Sequence, residues 1–353
     1  MEKKKDYLRM KKLLTIAVPS FNSQDYLSNC LDSLVIGGDE VEVIVIDDGS
    51  TDNTGKIAED YKTRYPNIVR VIHKPNSGHG EGVNQGLLNA TGIYYKVCDS
   101  DDLLAKKGYL DLLATIRKQV GKNELPDLFV CDFLYEHIYD DESYVSAFAR
   151  YMKPNKIQTW DKVKTFSFHH MLLMHALVYR RDTLLKSNTI LPKHCFYVDD
   201  YFSFKPLAYC KTLYYLPEVV YRYRIGRPDQ SVTKENMFKR YKQQLTVMNL
   251  VLSSFTYEEI NVMPKGLRKY LLHALSVLNL TTLFFVSGGK DNQPQRKKDF
   301  KKYLADLKSN DMEMYKHLRY KSYYSLIYWL PYIFQKRIIT FGYNVTAKVC
   351  KCG

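Results

Sequence analysis

The sequence predicts an α/β fold followed by a mainly helical region. Largely apolar stretches alternate with amphipathic helical patterns in the first part of the chain, as in strands joined by crossover helices. After about Lys234, long helical patterns take over. A chain of 353 residues accommodates one large domain or two ordinary ones. We therefore expect an α/β domain at 1–235 and a helical region at 236–353, where an acceptor, a membrane or a second subunit would dock.

The first strands and helices follow one another at short intervals. The stretch 13–18 is a predicted strand without polar alternation, typical of a parallel strand covered on both faces. A helix at 24–35 and a strand at 41–46 follow, and then a helix from about Asn53 and a strand at 69–72. This alternation predicts a mostly parallel sheet with helices on both faces.

A glycine-rich segment follows the third strand. Residues 76–86 include four glycines, which let a backbone approach a ligand closely. No Gly-Lys-Ser/Thr follows, so the segment is not a P-loop, and its position disfavours a dinucleotide site. We predict a short helix at 83–90 and then a buried strand from Tyr94.

Three carboxylates, Asp99, Asp101 and Asp102, come directly after that strand. They repel one another, and a fold tolerates them at a helix start, in a solvated loop or around a cation. Mg²⁺ and Mn²⁺ take oxygen ligands, and ligands of open α/β sheets bind at the carboxyl ends of the strands. Two interpretations stay open: a metal–diphosphate site, or an acidic helix start favoured by the helix dipole.

A second acidic pair, Asp199 and Asp200, lies between apolar segments. Burial raises the pKa of a carboxylate and suits it to act as a general base, but a helix cap explains the pair equally well. Three histidines at 169, 170 and 175 have spacings that do not place them all on one helical face. We interpret them as core or surface residues rather than a metal site, with a phosphate contact as the alternative.

Composition limits the partners. The net charge of +14 predicts an anionic partner, and we find no helix-turn-helix or RNA motif that would support a nucleic acid. The seven cysteines form no CxxC pair, which argues against zinc and favours reduced thiols in the cytoplasm. The basic N-terminus is not followed by a signal-peptide core, and no stretch of membrane-spanning length lacks polar interruptions.

The second half of the chain contains a basic strand and several helices. Tyrosine and arginine alternate at 221–224, which predicts a strand with one basic face. Arg224 and Arg227 then either hold a diphosphate or face solvent. Helices are predicted at 237–254, 267–286 and 300–315. His273 and Asn279 interrupt the second of these, which favours a packed core helix over a membrane span.

The last 40 residues, 314–353, contain seven Lys or Arg and no Asp or Glu, and they are rich in aromatic residues. Such a segment resembles an interfacial anchor for anionic lipids. The alternative is a helical subdomain whose aromatic side chains form a core, because a charge bias indicates a surface but not its partner. Peripheral membrane contact through 320–340 is thus one of two expectations.

Five motifs occur in the order seen in family 2 glycosyltransferases, at 18–22, 45–52, 76–86, 99–102 and 198–200. The chain resembles this family over about residues 13–232. The Asn-Ser-Gly-His-Gly loop and the segment from Tyr221 resemble a branch common in Gram-positive bacteria, linked to cell-surface or exopolysaccharide assembly. The resemblance implies a GT-A fold and inverting transfer of a hexosyl or N-acetylhexosaminyl group.

The resemblance also implies a donor, an acceptor and a metal. The donor is a nucleotide-diphospho-sugar, first of all a UDP-sugar, and the acceptor is a hydroxyl of a glycan or lipid-linked molecule. The cofactor is Mn²⁺ or Mg²⁺, held by Asp101 and Asp99. Asp200, or else Asp199, matches the general base. The implied donor-binding residues are Pro19, Phe21, Asn22, Asp47, Asp48, Asn76, Gly78, His79, Asn84, Asp99, Arg224 and Arg227.

One position departs from the family pattern. Many members have Arg where this chain has Val83, so the diphosphate contacts fall to His79, Arg224 or Arg227. A sugar nucleotidyltransferase is the alternative on a related fold, but it would usually have a basic glycine-rich loop directly after the first strand. A nonenzymatic sugar- or membrane-binding module is disfavoured by the intact acidic motifs. We expect a cytoplasmic location at the inner face of the cell membrane, and a homo-oligomer stays open.

Overall fold

The computed structural model describes residues 12–139, 143–168, 170–227 and 230–350, with side chains described as far as Gly342. His169 therefore lies outside the described residues, as do residues 1–11 of the predicted α/β domain and residues 351–353 of the predicted helical region. The chain divides into two compact units, the first running up to Lys162 and including Leu172–Arg224. The second contains Val163–Met171 and the chain from Ile225 onward. The predicted domain boundary after residue 235 stays a prediction.

The first unit is built around a ten-stranded sheet. Its strands are β1 (Leu14–Ser20), β2 (Val41–Asp47), β3 (Val69–His73), β4 (Tyr94–Val97), β5 (Leu103–Leu104), β6 (Leu128–His137), β7 (Ser143–Ser146), β8 (Ile157–Thr159), β9 (Leu177–Arg180) and β10 (Thr212–Ile225). The strand order is β3-β2-β1-β4-β9-β6-β10-β5, with β7 beside β6 and β8 beside β10.

The helices of this unit connect and cover the strands. They are α1 (Leu27–Val35), α2 (Thr54–Arg64), α3 (His79–Asn89), α4 (Lys106–Lys122), α5 (Arg181–Lys186) and α6 (Val198–Phe202). Short 3₁₀ helices occur at Gly38–Glu40, Trp160–Lys162, Met174–Ala176 and Lys205–Tyr209.

The parallel part of the sheet confirms the α/β prediction. Strand β1 pairs in parallel with β2 and β4, and β2 pairs in parallel with β3. Every residue of β1 and β2 is buried, which explains why these strands lack polar alternation. Strand β9 pairs antiparallel with both β4 and β6. Strand β7 pairs antiparallel with β6, and strands β5 and β8 each pair antiparallel with β10. The sheet is therefore mixed, with a parallel core.

The second unit is helical, as predicted. Its helices are α7 (Lys234–Lys239), α8 (Tyr241–Leu252), α9 (Tyr257–Val262), α10 (Lys265–Gly288), α11 (Gln293–Asn310), α12 (Met312–Tyr320) and α13 (Tyr332–Cys350), with a 3₁₀ helix at Tyr323–Leu326.

Helix α10 is long and apolar enough to cross a membrane, although 72% of its most apolar window is buried inside the protein, the pattern of a core helix. His273 and Asn279 each make a hydrogen bond within the unit. His273 contacts the His170 carbonyl oxygen through Nε2 at 3.0 Å, and the Tyr303 hydroxyl donates to Asn279 Oδ1 at 2.8 Å. These bonds explain how polar side chains occupy a buried helix.

Candidate active site

The carboxyl ends of neighbouring parallel strands gather the predicted site residues at one sheet edge. Ser20 at the end of β1 lies beside Asp47 at the end of β2, and the Asp48 amide donates to the Ser20 carbonyl oxygen at 2.8 Å. Strand β4 pairs with the other side of β1 and ends at Val97, two residues before Asp99. This is the edge at which open α/β sheets bind ligands.

The loop after β1 contains Pro19, Phe21 and Asn22. Pro19 is buried in β1, whereas the ring of Phe21 is 49% exposed at the edge and therefore accessible to a ligand. Asn22 has a positive φ of 47°, and its Oδ1 accepts the Thr51 amide at 2.9 Å. These contacts hold together the loops after β1 and β2, which contain residues that the family resemblance assigns to donor binding.

Asp47 and Asp48 are both buried and both hydrogen-bonded within the chain. Asp47 accepts the Ser50 amide at 3.0 Å and contacts His73 Nδ1 at 2.9 Å. Burial raises the pKa of Asp47, but the hydrogen bonds from Ser50 and His73 outweigh it, so the net direction is downward. Asp47 is therefore favoured in its charged form.

Asp48 holds the beginning of the glycine-rich segment. Its carboxylate pairs with the Lys74 ammonium and accepts the backbone amides of Ser77 at 2.9 Å and Gly78 at 2.7 Å. The loop is therefore fixed to the end of β2 by a charged acceptor. The predicted contact of Asp48 with the nucleotide-sugar donor stays a prediction.

Gly78 has a φ of 87°, a conformation that other residues adopt only with strain, and a Cβ there would lie 2.8 Å from the His194 amide nitrogen. Helix α3 begins directly after it. The neighbouring Asn76 is exposed, whereas Asn84 within α3 is hydrogen-bonded: its amide donates to the Leu191 carbonyl oxygen at 2.9 Å and its Oδ1 accepts the Leu191 amide at 3.0 Å. Asn84 thus joins α3 to the segment that leads into α6.

His79 and Asp99 form an ion pair, with 2.8 Å between Nε2 and Oδ1. Burial lowers the pKa of His79, but the charge and hydrogen bond of Asp99 outweigh it, and the pKa lies above its ordinary value. Burial likewise raises the pKa of Asp99, which the His79 charge reverses to a net lowering. Each group favours the charged form of the other.

Asp99, Asp102 and His175 bring one ligand atom each to within 4.8 Å of one another. Asp102 is buried, and it accepts the Tyr221 hydroxyl at 2.7 Å and the Arg224 amide at 2.7 Å. His175 is buried, and its Nδ1 has no hydrogen-bond partner among the described residues. The His175 ring therefore has an unpaired nitrogen and lies beside two carboxylates, a combination that suits a cation.

The charge states suit a divalent ion. Burial lowers the pKa of His175 to about 4, so the imidazole is neutral at neutral pH, the form that binds metals. Burial, together with the charges of Asp101 and Asp99, raises the pKa of Asp102 well above its ordinary value. A cation would relieve this repulsion. Two carboxylates and one imidazole therefore fit Mn²⁺ or Mg²⁺; the predicted metal contact of Asp101, outside this group, stays a prediction.

Lys96 is a site residue that the sequence analysis missed. It is buried in β4, its ammonium donates to the His175 carbonyl oxygen at 2.7 Å, and it lies 4.8 Å from the centre of the Tyr221 ring. Burial lowers its pKa to about 8. Lys96 fixes the backbone that carries His175. Its signal in the sequence was a charged residue in the middle of an otherwise uncharged buried strand.

His175 was not assigned to the site from the sequence, and Asp102 was named in the acidic cluster but not among the predicted metal ligands. His175 was interpreted as a core or surface residue, with a phosphate contact as the alternative. It is buried, and it stands beside the acidic cluster because β9 pairs with β4. That pairing joins Tyr94 to Arg180 and is antiparallel. No spacing along the chain could have indicated it.

Asp199 on α6 interacts electrostatically with Asp99 and His79. Burial raises the pKa of Asp199 and the charge of Asp99 raises it further, while His79 lowers it. Asp199 and Asp200 are both partly exposed on a short helix. Arg224 is partly exposed in β10, and Arg227 belongs to the second unit. The roles predicted for these four residues stay predictions.

Comparison with known proteins identifies the family. The model for glycosyl transferase family 2 matches residues 15–183, the part of the chain that carries β1 to β4 and the acidic cluster. Residues 15–183 are a glycosyltransferase family 2 domain. The chain is therefore a glycosyltransferase, and the prediction of an enzyme of this family is confirmed.

Two curated relatives come from Bacillus. The chain is 26% identical over 315 residues to the uncharacterized glycosyltransferase EpsJ of Bacillus subtilis, covering 85% of this chain and 84% of that protein. It is 38% identical over 102 residues to a poly(ribitol-phosphate) beta-glucosyltransferase of Bacillus spizizenii, over 28% of this chain and 16% of that protein. The enzyme thus resembles glycosyltransferases of Gram-positive bacteria.

Solved structures confirm the GT-A-like fold. Residues 1–349 of S. aureus TarS, in complex with UDP-GlcNAc, match with a TM-score of 0.62 at 19% identity, covering 94% of this chain and 91% of that chain. The mannosyltransferase PcManGT of Pyrobaculum calidifontis, in complex with GDP-Man and Mn²⁺, matches with a TM-score of 0.53 at 15% identity, covering 99% and 92%.

Proposed function

We propose that this enzyme transfers a sugar from a nucleotide-diphospho-sugar, first of all a UDP-sugar, to a hydroxyl of a glycan or lipid-linked acceptor, with inversion, in cell-surface polysaccharide synthesis. The observation that carries the proposal is the group formed by Asp99, Asp102 and His175 at the carboxyl edge of the parallel strands. The UDP-GlcNAc bound by TarS and the GDP-Man and Mn²⁺ bound by PcManGT support a nucleotide-sugar donor and a metal.

Asp99, Asp102 and His175 would hold the metal, with Asp101 as the further ligand that the family motif suggests. Bound Mn²⁺ or Mg²⁺ would supply positive charge to the diphosphate. The chain itself adds His79 at the first turn of α3. Its pKa is raised, so the imidazolium is favoured, and the helix N-terminus also attracts an anion. His79 therefore supplies positive charge near the position where many family members have Arg and this chain has Val83.

The general base comes from the pair on α6. Asp200 is our first candidate, from its match to the family motif. Asp199 is the alternative, because its raised pKa suits a group that must accept a proton from an acceptor hydroxyl. A base on the face of the sugar opposite the diphosphate would invert the anomeric centre in a single displacement. The enzyme would work in the cytoplasm, at the inner face of the membrane.

The first experiment is a thermal-shift titration with UDP, GDP, dTDP and CDP, each with and without Mn²⁺. A ligand that binds only the folded protein raises the unfolding midpoint according to its affinity. We expect one nucleotide to stabilise the protein in a metal-dependent way, with Asp99→Asn abolishing the effect. Asp111→Asn is the control, since this carboxylate pairs with Lys107 on α4. No shift with any nucleotide would contradict the proposed donor site.

Two variants assign the base. Asp200→Asn should lower sugar transfer by at least about 100-fold, as removal of a general base does, with nucleotide stabilisation unchanged. Asp199→Asn should lower it less. If Asp199→Asn has the larger effect, Asp199 is the base. If Asp200→Asn abolishes nucleotide stabilisation, the residue binds the donor and the proposed role is wrong.

A further inference from the structure

The outward side of helix α13 exposes large apolar side chains. Ile333, Phe334, Ile338 and Phe341 are between 43% and 70% exposed, and helical spacing places them on one side with Arg337. The opposite side contains the buried residues Gln335 and Ile339. The helix is therefore amphipathic, with its inner side packed in the second unit and its outer side uncovered among the described residues.

The segment before α13 also exposes large apolar side chains. Leu326 is 75% exposed and Trp329 is 68% exposed, whereas Trp160, the other tryptophan of the chain, is buried. We call Leu326, Trp329, Ile333, Phe334, Arg337, Ile338 and Phe341 the outer face. Exposed apolar groups gathered in this way mark an interaction surface more often than chance exposure does.

Gln335 fixes the two parts of the outer face to each other. Its amide donates to the carbonyl oxygens of Tyr328 at 3.0 Å and Leu330 at 2.7 Å, and its Oε1 accepts the Tyr324 hydroxyl at 2.7 Å. The turn that carries Trp329 is therefore joined to the first turns of α13.

The charge of this region has one sign. From Met314 to Gly353 the sequence has seven Lys or Arg and no Asp or Glu. Arg337 belongs to the outer face itself and is exposed. The segment has no acidic residue that could neutralise its charge. Anionic lipid surfaces attract such a segment through each basic residue that lies close to the surface.

We propose that the outer face docks onto the surface of an anionic lipid bilayer. An amphipathic helix with apolar side chains and basic residues lies in the interface plane, and tryptophan favours that depth because its ring is apolar and its N–H is polar. A second copy of the chain fits less well, because a self-paired face would bring the positive charges of two such segments together. The apolar side chains and the charge both suit anionic lipid.

Flotation of the full chain with vesicles tests the docking. The vesicles contain phosphatidylcholine alone or phosphatidylcholine with phosphatidylglycerol, in low and high salt. The test variant combines Trp329→Ser with Phe341→Ser. The control combines Val262→Ser with Leu88→Ser, which removes two apolar side chains that are 85% and 69% exposed elsewhere.

We expect the wild-type chain and the control to float with anionic vesicles only, and less in high salt. The test variant should bind anionic vesicles at least about tenfold more weakly than the wild-type chain does. In a Trp160→Phe background, the emission of Trp329 should shift to shorter wavelength when anionic vesicles are added.

Absence of flotation, or equal binding by the test variant and wild type, would overturn the proposal. A wild-type dimer in vesicle-free ultracentrifugation that the test variant loses would assign the face to a second copy and would overturn it too. The donor site is assayed separately. Nucleotide stabilisation should be the same in wild type and test variant, so failure of the docking surface and failure of the proposed transferase are distinguishable.

Discussion

His79 and Asp99 show how one ion pair at the sheet edge links folding to pH. The pKa of His79 is raised, so its stabilising contribution is present below its ordinary value of 6.5 and is lost as pH rises through the folded-state pKa. The pKa of Asp99 is lowered, so its contribution is present above its ordinary value of 3.8 and is lost as pH falls through the folded-state pKa. Both contributions operate between these two values.

His79→Gln should therefore destabilise the protein in a pH-dependent way. We expect a loss of about 1 kcal/mol in the free energy of unfolding near pH 5.5, because the pair is charge-assisted but partly exposed. The loss should shrink well above pH 8. Urea unfolding at both pH values measures it, with His194→Gln, an exposed histidine of the same unit, as the control. An equal loss at both pH values would show that the pair is not its origin.

His175→Gln tests the metal ligand set without an activity assay. We expect the Mn²⁺ concentration needed for half-maximal nucleotide stabilisation to rise about tenfold or more, since one donor near the ion is replaced. His317→Gln is a matched control. Its Nδ1 is likewise buried without a hydrogen-bond partner among the described side chains, but the residue lies on α12 of the helical unit. An unchanged Mn²⁺ requirement in His175→Gln would remove His175 from the ligand set.

At the scale of elements, most of the glycine-rich segment belongs to helix α3 and not to a loop. We predicted a loop from 76 and a helix from 83, but α3 begins at His79. Three of its glycines allow close packing rather than flexibility. A Cβ at Gly82 would lie 2.9 Å from the Pro19 Cβ, and one at Gly86 would lie 2.5 Å from the Ala17 Cβ. The glycines place the helix N-terminus against the end of β1.

Gly86→Ala should lower the free energy of unfolding by about 1–3 kcal/mol, because the added methyl group overpacks the contact between α3 and β1. Gly121→Ala is the matched control on α4, where nothing lies within 4 Å of the added Cβ. It should stabilise the protein by about 0.5–1 kcal/mol through helix propensity. Thermal or urea unfolding of the two variants measures both effects. Equal effects of the two substitutions would contradict the packing explanation.

At the scale of the whole molecule, the charge of +14 and the specific donor site should differ in their salt dependence. Binding of a polyanion through dispersed Lys and Arg falls steeply with salt, because counterions are released. We expect duplex DNA to be retained at low ionic strength and released by about 0.3 M salt. Stabilisation by nucleotide with Mn²⁺ should persist there. Sequence-selective DNA binding at 0.3 M salt would contradict the prediction that nucleic acid is no partner.

The structure confirms the helical character predicted for the second unit. The polar residues of α10 illustrate why a packed core helix could be predicted from the sequence. His273 and Asn279 interrupt an apolar helix, and both are hydrogen-bonded to groups of the same unit. Helical periodicity is local, so it can be read from a few turns of sequence. The exposure of Trp329 and Phe341 is known only from the structure. The sequence does not show whether an apolar residue lies in the core or on the surface.

The sequence by itself determined the parallel strands β1 to β4, the acidic residues that follow them and the family. Strand patterns and short motifs are local, and the edge at which parallel strands end gathers their carboxylates. Only the tertiary structure decided that β9 pairs antiparallel with β4, which brings His175 to Asp99 and Asp102. It also decided that Lys96 supports the His175 backbone from inside the sheet. These contacts join residues about 80 positions apart along the chain, and pairing at that separation depends on the packing of the whole sheet rather than on any local pattern.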